Sequence, residues 1–340
     1  MLKPLTTLTL LLLLSIACFI LALSVGSVSL PLSDVLHSLL GISSPPATQA
    51  DAQLSQHIIY ELRLPRAYIA FISGGLLALA GMLMQVLLRN PLADPYILGV
   101  SGGASVAAML AISAGFGSTL ISGSAFIGAL ISIVLVFGLS HGRGSWTPSR
   151  LLLTGVVIAA GWGAVINFIL SLSPERPLKG MLFWLMGDLS HTQSEQLSNP
   201  LLPMVLLLGL LLSWLMARSL NILSRGELQA SVLGISLKPL RLGLFLLASA
   251  LTAVAVTQAG SIGFVGLIVP HMLRLLISAD HRWLAPASVL CGGSLLLISD
   301  TLARTLIAPQ QLPVGVITAF IGVPVFLYLL NRSYRQQVTP

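Results

Sequence analysis

The chain has 340 residues, of which 56% are hydrophobic and only 8% are charged, and its mean hydropathy is +0.97. Soluble domains carry about 25% charged residues, so the composition excludes a soluble protein and predicts an all-α protein that crosses a membrane several times. The net charge of +7 does not indicate nucleic acid, because the basic residues fall in short loops between apolar stretches, where membrane topology explains them. The two cysteines, Cys18 and Cys291, are far apart and indicate neither a disulfide framework nor a zinc site.

Apolar stretches predict the number of membrane-spanning helices, since each needs about 20 mostly apolar residues. Residues 5–30 are interpreted as a first span that is kept rather than a cleaved signal. The run 263–277 is short for a full crossing, and 178–189 predicts a re-entrant half-helix; both need protein or water around their backbone and so point toward a pathway. We predict one transmembrane domain, residues 1–340, with about ten spans near 5–30, 64–88, 95–114, 120–140, 150–171, 197–217, 240–259, 263–277, 283–304 and 313–331.

The basic residues predict the orientation of these spans. With the N-terminus inside, the cytoplasmic loops hold most of the lysines and arginines, which favours both termini in the cytoplasm. The cytoplasmic set is Lys3, Arg89, Arg143, Arg150, Arg218, Arg225, Lys238, Arg241, Arg274, Arg282, Arg332 and Arg335. The external set is Arg63, Arg66, Arg176, Lys179 and Arg304.

The longest polar interruption with helical character lies at residues 219–238, on the predicted cytoplasmic side. Ser224 and Glu227 have the spacing of a capping box, which predicts that a helix begins there. Leu228, Val232 and Leu233 then fall on one face, and Gly234 stands where a left-handed residue ends a helix. We expect a short amphipathic helix that docks another protein; a helix lying in the lipid headgroups is the alternative.

Several kinds of chemistry are missing from the sequence. None of the three lysines belongs to a phosphate-binding G-x-x-x-x-G-K-[ST] loop, and the six histidines show no metal-ligand spacing, so we predict no catalytic and no metal-binding residues. No predicted span carries Asp, Glu or Lys near its middle, which argues against a proton-coupled carrier. The many glycines within the spans are typical of close helix packing.

A series of ordered motifs covers nearly the whole chain apart from the first span and residues 41–55. They are E-L-R-L-P-R-A (61–67), M-Q-V-L-L-R-N-P-L-A-D-P-Y-I-L-G-V-S-G-G-A (84–104), S-R-L-L-L-T-G (149–155), F-W-L-M-G (183–187), L-N-I-L-S-R-G-E (220–227), G-S-I-G-F-V-G-L-I-V-P-H-M-L-R (260–274), D-H-R (280–282) and L-P-V-G-V-I-T-A-F-I-G-V-P-V-F (312–326). With these motifs the chain resembles the permease subunits of bacterial ABC importers for iron-siderophores, haem and cobalamin, the FecCD family.

The resemblance implies a ten-span permease of the bacterial inner membrane that pairs with a second permease subunit, as a homodimer or close heterodimer. Two cytoplasmic ABC ATPase subunits would bind the ATP and Mg²⁺, so no cofactor is expected in this chain, and a periplasmic binding protein would deliver the cargo. The segment 219–238 is similar to the family's coupling helices, although Arg225 stands where an apolar residue is expected. The implied ATPase-coupling residues are Leu220, Asn221, Leu223, Arg225, Gly226, Glu227, Leu228, Leu233 and Gly234.

The resemblance also implies roles at the two ends of the pathway. On the outer face, Arg63, Arg66 and Arg304 match positions that meet acidic residues of the binding protein in cobalamin permeases, and anchoring in the headgroups is the alternative. Arginine offers a planar fork that suits carboxylates. On the inner face, Asn90, Leu92 and Ser149 match the region that closes the pathway, with Pro148 in place of a small polar residue.

The expected function is the permease subunit of an ATP-driven importer that moves an iron-siderophore or a related iron complex from periplasm to cytoplasm. Cobalamin import is the alternative within the class, because nothing in the pathway residues separates the two cargoes. An ion-coupled secondary transporter that acts alone is the alternative from another class. The absence of intramembrane carboxylates speaks against it.

Overall fold

The computed structural model describes residues 3–26, 28, 30–40, 49–140, 147–192 and 194–338, and across these ranges it is helical without a strand. This confirms the all-α class. Arg143, which the sequence assigned to the cytoplasmic set, lies outside the described residues. The helices are α1 Pro4–Ser24, α2 Leu32–Leu40, α3 Gln49–His57, α4 Leu64–Leu87, α5 Val100–Ser113, α6 Ser118–Ser140, α7 Pro148–Leu172, α8 Glu175–Leu185, α9 Leu201–Leu215, α10 Ala217–Leu223, α11 Glu227–Val232, α12 Leu237–Ala259, α13 Val265–Leu276, α14 His281–Thr305 and α15 Val314–Val338.

Every predicted span contains an apolar helix. Within the described ranges, seven helices are long and apolar enough to cross a membrane, and the pair α9 and α10, bent by 60°, forms an eighth candidate. The shorter helices α5 and α13 occupy the two remaining predicted positions. Their crossing, and hence the total of ten, stays a prediction. The predicted span 95–114 is broken, because Gly99 adopts φ 67° between a 3-10 turn at Pro95–Leu98 and α5.

Helix α4 lies at the centre of the molecule. Of the most apolar 18 residues in Gln53–Leu87, 94% are buried. A side chain on Gly74 would overlap the carbonyl of Gly292 in α14, and one on Gly81 would overlap the carbonyl of Gly266 in α13. These glycines therefore pack helices together, as the sequence predicted, because only a hydrogen atom fits between the two backbones.

A proline within α13 opens its backbone, and α4 satisfies the exposed group. Pro270 has no N–H to donate to the carbonyl of Gly266 four residues earlier. The Gln85 side chain of α4 donates to that carbonyl at 3.3 Å and to the carbonyl of Leu267 at 3.0 Å. The Arg274 guanidinium in turn donates to the Gln85 amide oxygen at 2.6 Å. One polar side chain thus joins the proline-containing helix α13 to the central helix α4.

The polar segment 219–238 forms two short helices rather than one, and the predicted capping box is wrong. The Ser224 hydroxyl donates to the carbonyl of Leu220 and closes α10, while Gly226, at φ 133°, precedes α11. Ser224 therefore belongs to the end of one helix and cannot cap the next. The predicted end is confirmed: Gly234 has φ 79°, and the N–H groups of Gly234 and Ile235 donate to Ser231 and Ala230, a Schellman pattern.

The predicted half-helix at 178–189 is present as α8, Glu175–Leu185. Its end is tied to two other elements, because the Asp188 N–H donates to the carbonyl of Ala259, the last residue of α12, and the N–H of Gly315 in α15 donates to the carbonyl of Met186, both at 3.0 Å. These bonds fix α8 against the start of α15. Whether α8 enters and leaves the membrane on one side stays a prediction.

Candidate coupling surface, gate and pathway

An apolar face of α11 points away from the rest of the chain. Leu228 and Val232 are 80% and 79% exposed, and Leu233 is exposed beside them. The periodicity of the sequence predicted this face, which the structure confirms. We call Leu228, Val232 and Leu233 the coupling face. Three large apolar side chains together on a polar connecting segment are typical of a surface that binds a partner or a lipid layer.

The other predicted coupling residues divide by environment. Leu220 and Leu223 are buried inside the chain, Arg225 is exposed, and Gly226 and Gly234 supply the positive φ angles at the two ends of α11. Leu220 and Leu223 can therefore support the segment only from beneath.

Asn221 ties α10 to the beginning of α14. Its side-chain N–H₂ donates to Asp280 at 2.7 Å, and its oxygen accepts the backbone N–H of His281 at 2.9 Å. Burial would raise the pKa of Asp280, but the hydrogen bonds from Asn221 and from the backbone N–H of Arg282 outweigh burial and lower it. A charged carboxylate therefore caps α14 and holds Asn221. Asn221 is engaged within the chain.

Glu227, the first residue of α11, forms two ion pairs inside the chain. Its Oε1 lies 3.1 Å from a guanidinium nitrogen of Arg89, and its Oε2 contacts the guanidinium of Arg241. Arg89 follows α4 directly, and Arg241 is buried in the first turns of α12. Sequence reasoning missed both partners, since no local spacing relates position 227 to position 89.

The predicted gate residues Asn90 and Leu92 form a tight turn next to this ion pair. Arg89 adopts φ 48°, and the Asn90 side-chain oxygen accepts the N–H of Leu92 at 2.9 Å. Ser149 is exposed in the first turn of α7, after the N-cap Thr147. Among the described hydrogen bonds, none joins Ser149 to the Asn90–Leu92 turn. A gating role for the three residues stays a prediction.

The three arginines predicted for outer docking are buried and engaged within the chain. Arg66 contacts Asp300 at 2.8 Å and donates to Gln311 at 2.9 Å, and Arg304 lies 3.1 Å from the same carboxylate. Arg63 donates to the carbonyls of Leu23 and Ser24 at the end of α1, at 2.6 and 2.9 Å, and to the carbonyl of Val28. The sequence placed these residues correctly at span ends but did not reveal these partners.

Two apolar cavities meet at the break between α12 and α13. The larger, of about 590 Å³, is lined by Met186, Ser261, Gly263, Phe264, Gly315, Val316, Ala319, Phe320, Val323 and Pro324. The smaller, of about 460 Å³, is lined by Asp94, Tyr96, Ile97, Val156, Ala159, Gly263, Phe264 and Leu267. Phe264 adopts φ 72° and lies between them. The sequence signalled this place by the motif G-S-I-G-F, but not its role as a cavity wall.

The part of the chain that the structure describes contains no group of three or more His, Cys, Asp or Glu side chains placed to hold a metal ion. The walls of both cavities are almost entirely apolar. Walls of this composition can contact a solute mainly through apolar surface.

Comparison with known proteins agrees with this arrangement. The model of the FecCD transport family matches residues 12–332. The chain is 42% identical to the hemin transport system permease protein HmuU of Yersinia pestis over 83% of this chain and 85% of HmuU. It is 39% identical to the ferric enterobactin permease FepD of Escherichia coli K12 (96% of this chain, 95% of FepD) and to the vitamin B12 permease BtuC of Serratia proteamaculans (84% and 85%).

Solved structures show the same fold. A metal-chelate type ABC transporter in an inward-facing conformation superimposes with a TM-score of 0.82 at 32% identity, covering 96% of this chain and 98% of that one. PsaBC from Streptococcus pneumoniae, at 18% identity and a TM-score of 0.55 over 82% and 95% of the two chains, shares the fold. With a family model that matches most of its length and relatives at about 40% identity, the chain belongs to the FecCD transport family, whose members are multi-pass membrane permeases.

Proposed function

We propose that this chain is the permease subunit of an ATP-driven importer that moves an iron-siderophore or a related iron complex across the bacterial inner membrane into the cytoplasm. The observation that carries the proposal is the coupling face on α11, an apolar surface on a chain whose described part offers no phosphate-binding loop of its own. Membership of the FecCD transport family supports it.

The mechanism divides the work between subunits. ATP and Mg²⁺ bind to two cytoplasmic ATPase subunits, and a periplasmic binding protein delivers the cargo. Closure of the ATPases pushes on α11, and the movement reaches the spans that line the pathway. In this arrangement the chain carries no catalytic residue and no cofactor, and it supplies the path and the coupling surface.

The cavities at Phe264 form part of the proposed path. Their walls have little polar surface, so a bulky chelate meets few fixed hydrogen-bonding groups and can be released as the walls move. Named relatives include permeases for hemin, ferric enterobactin and vitamin B12. Cobalamin is therefore the second candidate cargo, and the lining favours neither.

A second copy of the chain completes the transporter in this proposal. Only 6% of the most apolar stretch of α7 is buried within the chain, and the same helix lines the smaller cavity through Val156 and Ala159. In a homodimer the second copy would cover α7. The proposal places both termini in the cytoplasm, on the side of Arg89, Glu227 and Arg241, and it places Arg63, Arg66 and Arg304 on the outer side.

Docking of the binding protein by Arg63, Arg66 and Arg304 stays a prediction. The geometry sets a condition on it, because Arg66 and Arg304 share Asp300, and a docking carboxylate would have to compete with that buried partner. Arg63 has carbonyl partners and no carboxylate among the described contacts, so its positive charge is not neutralised there, but its side chain is as buried as those of Arg66 and Arg304 and would have to become exposed to meet an acidic protein.

The cargo test uses the chain co-expressed with its neighbouring genes. We expect an ATPase and a binding protein to accompany it, and the binding protein to bind ferric siderophores more tightly than hemin or cobalamin in direct titration. Tight binding of cobalamin alone would select the second candidate. Transport by the purified chain without ATP would contradict the importer and favour a secondary transporter.

The coupling face is tested by Leu228→Asp, which places a charge in the proposed apolar contact. We expect the ATPase to be lost from the purified complex, because a buried unpaired charge is costly. The matched control is Leu306→Asp, since Leu306 is also exposed but lies after α14 at the opposite end. Retention of the ATPase by Leu228→Asp would remove the coupling face from the interface.

A further inference from the structure

The first two residues of α11 point in opposite directions. Leu228 is exposed on the coupling face, whereas Glu227 turns toward the chain and pairs with Arg89 and Arg241. A helix of six residues is too short to hold its own position in water. The orientation of α11 therefore depends on the contacts that its inward-facing residues make with the rest of the chain. These residues are the buried Ala230 and Glu227, through its carboxylate.

The two arginines that pair with Glu227 lie in different parts of the chain, and a coupling movement has to reach both parts. Arg89 is the left-handed residue between the end of α4 and the Asn90–Leu92 turn. Arg241 lies in the first turns of α12, whose other end leads to the cavity wall at Gly263 and Phe264. One carboxylate with an oxygen on each guanidinium joins both elements to α11.

The strength of this link differs between its two arms. Arg241 is buried, so its attraction to Glu227 is little screened by water. The side chain of Arg89 is 45% exposed, so that pair is weaker and easier to break as the turn moves. Helix α11 is therefore attached firmly to α12 and more weakly to the turn. Such an arrangement suits an element that transmits movement.

We propose that Glu227 is a positioning residue that transmits the movement of α11 to the Asn90–Leu92 turn and to α12, while the neighbouring coupling face holds the ATPase. The inference rests on the proposed function and deepens it. It separates two tasks in one short helix: attachment, which uses Leu228, and transmission, which uses the Glu227 ion pairs.

The test uses the full complex of permease, ATPase and binding protein, reconstituted in liposomes. In Glu227→Gln we expect the ATPase to co-purify at the normal ratio and to hydrolyse ATP, while transport and the stimulation of hydrolysis by the binding protein fall about tenfold, a size typical of coupling between sites. Arg89→Gln, which changes an exposed side chain and is safe for folding, should give the same pattern.

The double variant Glu227→Gln/Arg89→Gln should lose no more coupling than the more affected single variant, because both changes break the same pair. The control is Arg282→Gln, which removes an exposed arginine that makes no ion pair with Glu227. It should transport normally.

Three results would overturn the inference. Loss of the ATPase in Glu227→Gln would make Glu227 an attachment residue, normal transport in both single variants would remove its role, and additive losses in the double variant would show that the two side chains act separately. A wild-type chain that transports without any ATPase would instead contradict the proposed function itself, and the inference with it.

Discussion

Asp300 is a buried carboxylate that lies between two buried guanidinium groups. It contacts Arg66 at 2.8 Å and Arg304 at 3.1 Å, and it joins the beginning of α4 to the end of α14. Arg63 stands nearby and caps the carbonyls at the end of α1, where cations are favoured by the helix dipole. Polar side chains thus fasten three spans at one end of the molecule.

Replacement of this carboxylate gives a prediction at the residue scale. Asp300→Asn leaves both guanidinium groups buried without their counter-ion, so we expect a loss of about 3–5 kcal/mol in the free energy of unfolding. Unfolding in detergent, induced by heat or by denaturant, measures this loss of stability. Glu175→Gln removes an exposed carboxylate from α8 and serves as the control. Equal stability of the two variants would show that the arginines are satisfied without Asp300.

Helix α13 shows how one element depends on another. Its proline frees a carbonyl that its own backbone cannot satisfy, and Gln85 of α4 supplies the missing donor. Gly263 and Phe264, which directly precede this helix, line both cavities. The proline in α13 therefore requires a polar partner, which is the buried Gln85 of the largely apolar α4.

This dependence is tested by a double-mutant cycle. Gln85→Leu should cost about 1–3 kcal/mol of unfolding free energy, because the freed carbonyl is left unpaired. With Pro270→Ala present, residue 270 recovers an N–H for the Gly266 carbonyl, so the same Gln85→Leu change should cost clearly less. Gln310→Leu, at an exposed glutamine, is the control. Equal costs of Gln85→Leu in both backgrounds would refute the pairing of Gln85 with the carbonyl that Pro270 leaves free.

At the scale of the whole molecule, α7 is a helix without enough neighbours in its own chain. A side chain added at Gly161 would meet nothing within 4 Å, and the small residues Ala160 and Ala164 are exposed beside it. Small residues at membrane helix contacts allow backbones to approach closely. In the proposed homodimer this surface faces the second copy.

We therefore expect Gly161→Leu to convert the detergent-solubilised dimer to a monomer, as measured by light scattering or native mass spectrometry. Leucine is a better helix former than glycine, so the chain itself should fold normally. Gly138→Leu on α6 is the control, since that position is also open and exposed. A Gly161→Leu variant that remains dimeric and transports would place the interface elsewhere.

The class of the protein and the positions of its helices follow from the amino-acid sequence alone. Apolar runs of about 20 residues can satisfy their backbone in a membrane only as helices, so length and composition were enough to locate them. The coupling face was also predictable, because Leu228, Val232 and Leu233 are neighbours on one turn and the helical period alone brings them together. The ordered motifs pointed to the family that the comparisons then showed.

The partners of the polar side chains, by contrast, depend on how the helices pack in three dimensions. Arg66 and Asp300 are 234 residues apart in sequence, so no local pattern predicts that they pair. The same holds for Arg89 and Glu227. The predicted capping box was wrong for a related reason. By spacing, the Ser224 hydroxyl can bond either to the end of α10 or to the beginning of α11, and in the structure it bonds to the Leu220 carbonyl of α10. Helical period and hydropathy depend on residues that are neighbours along the chain. Ion pairs form instead between side chains whose helix ends come close together when the helices pack.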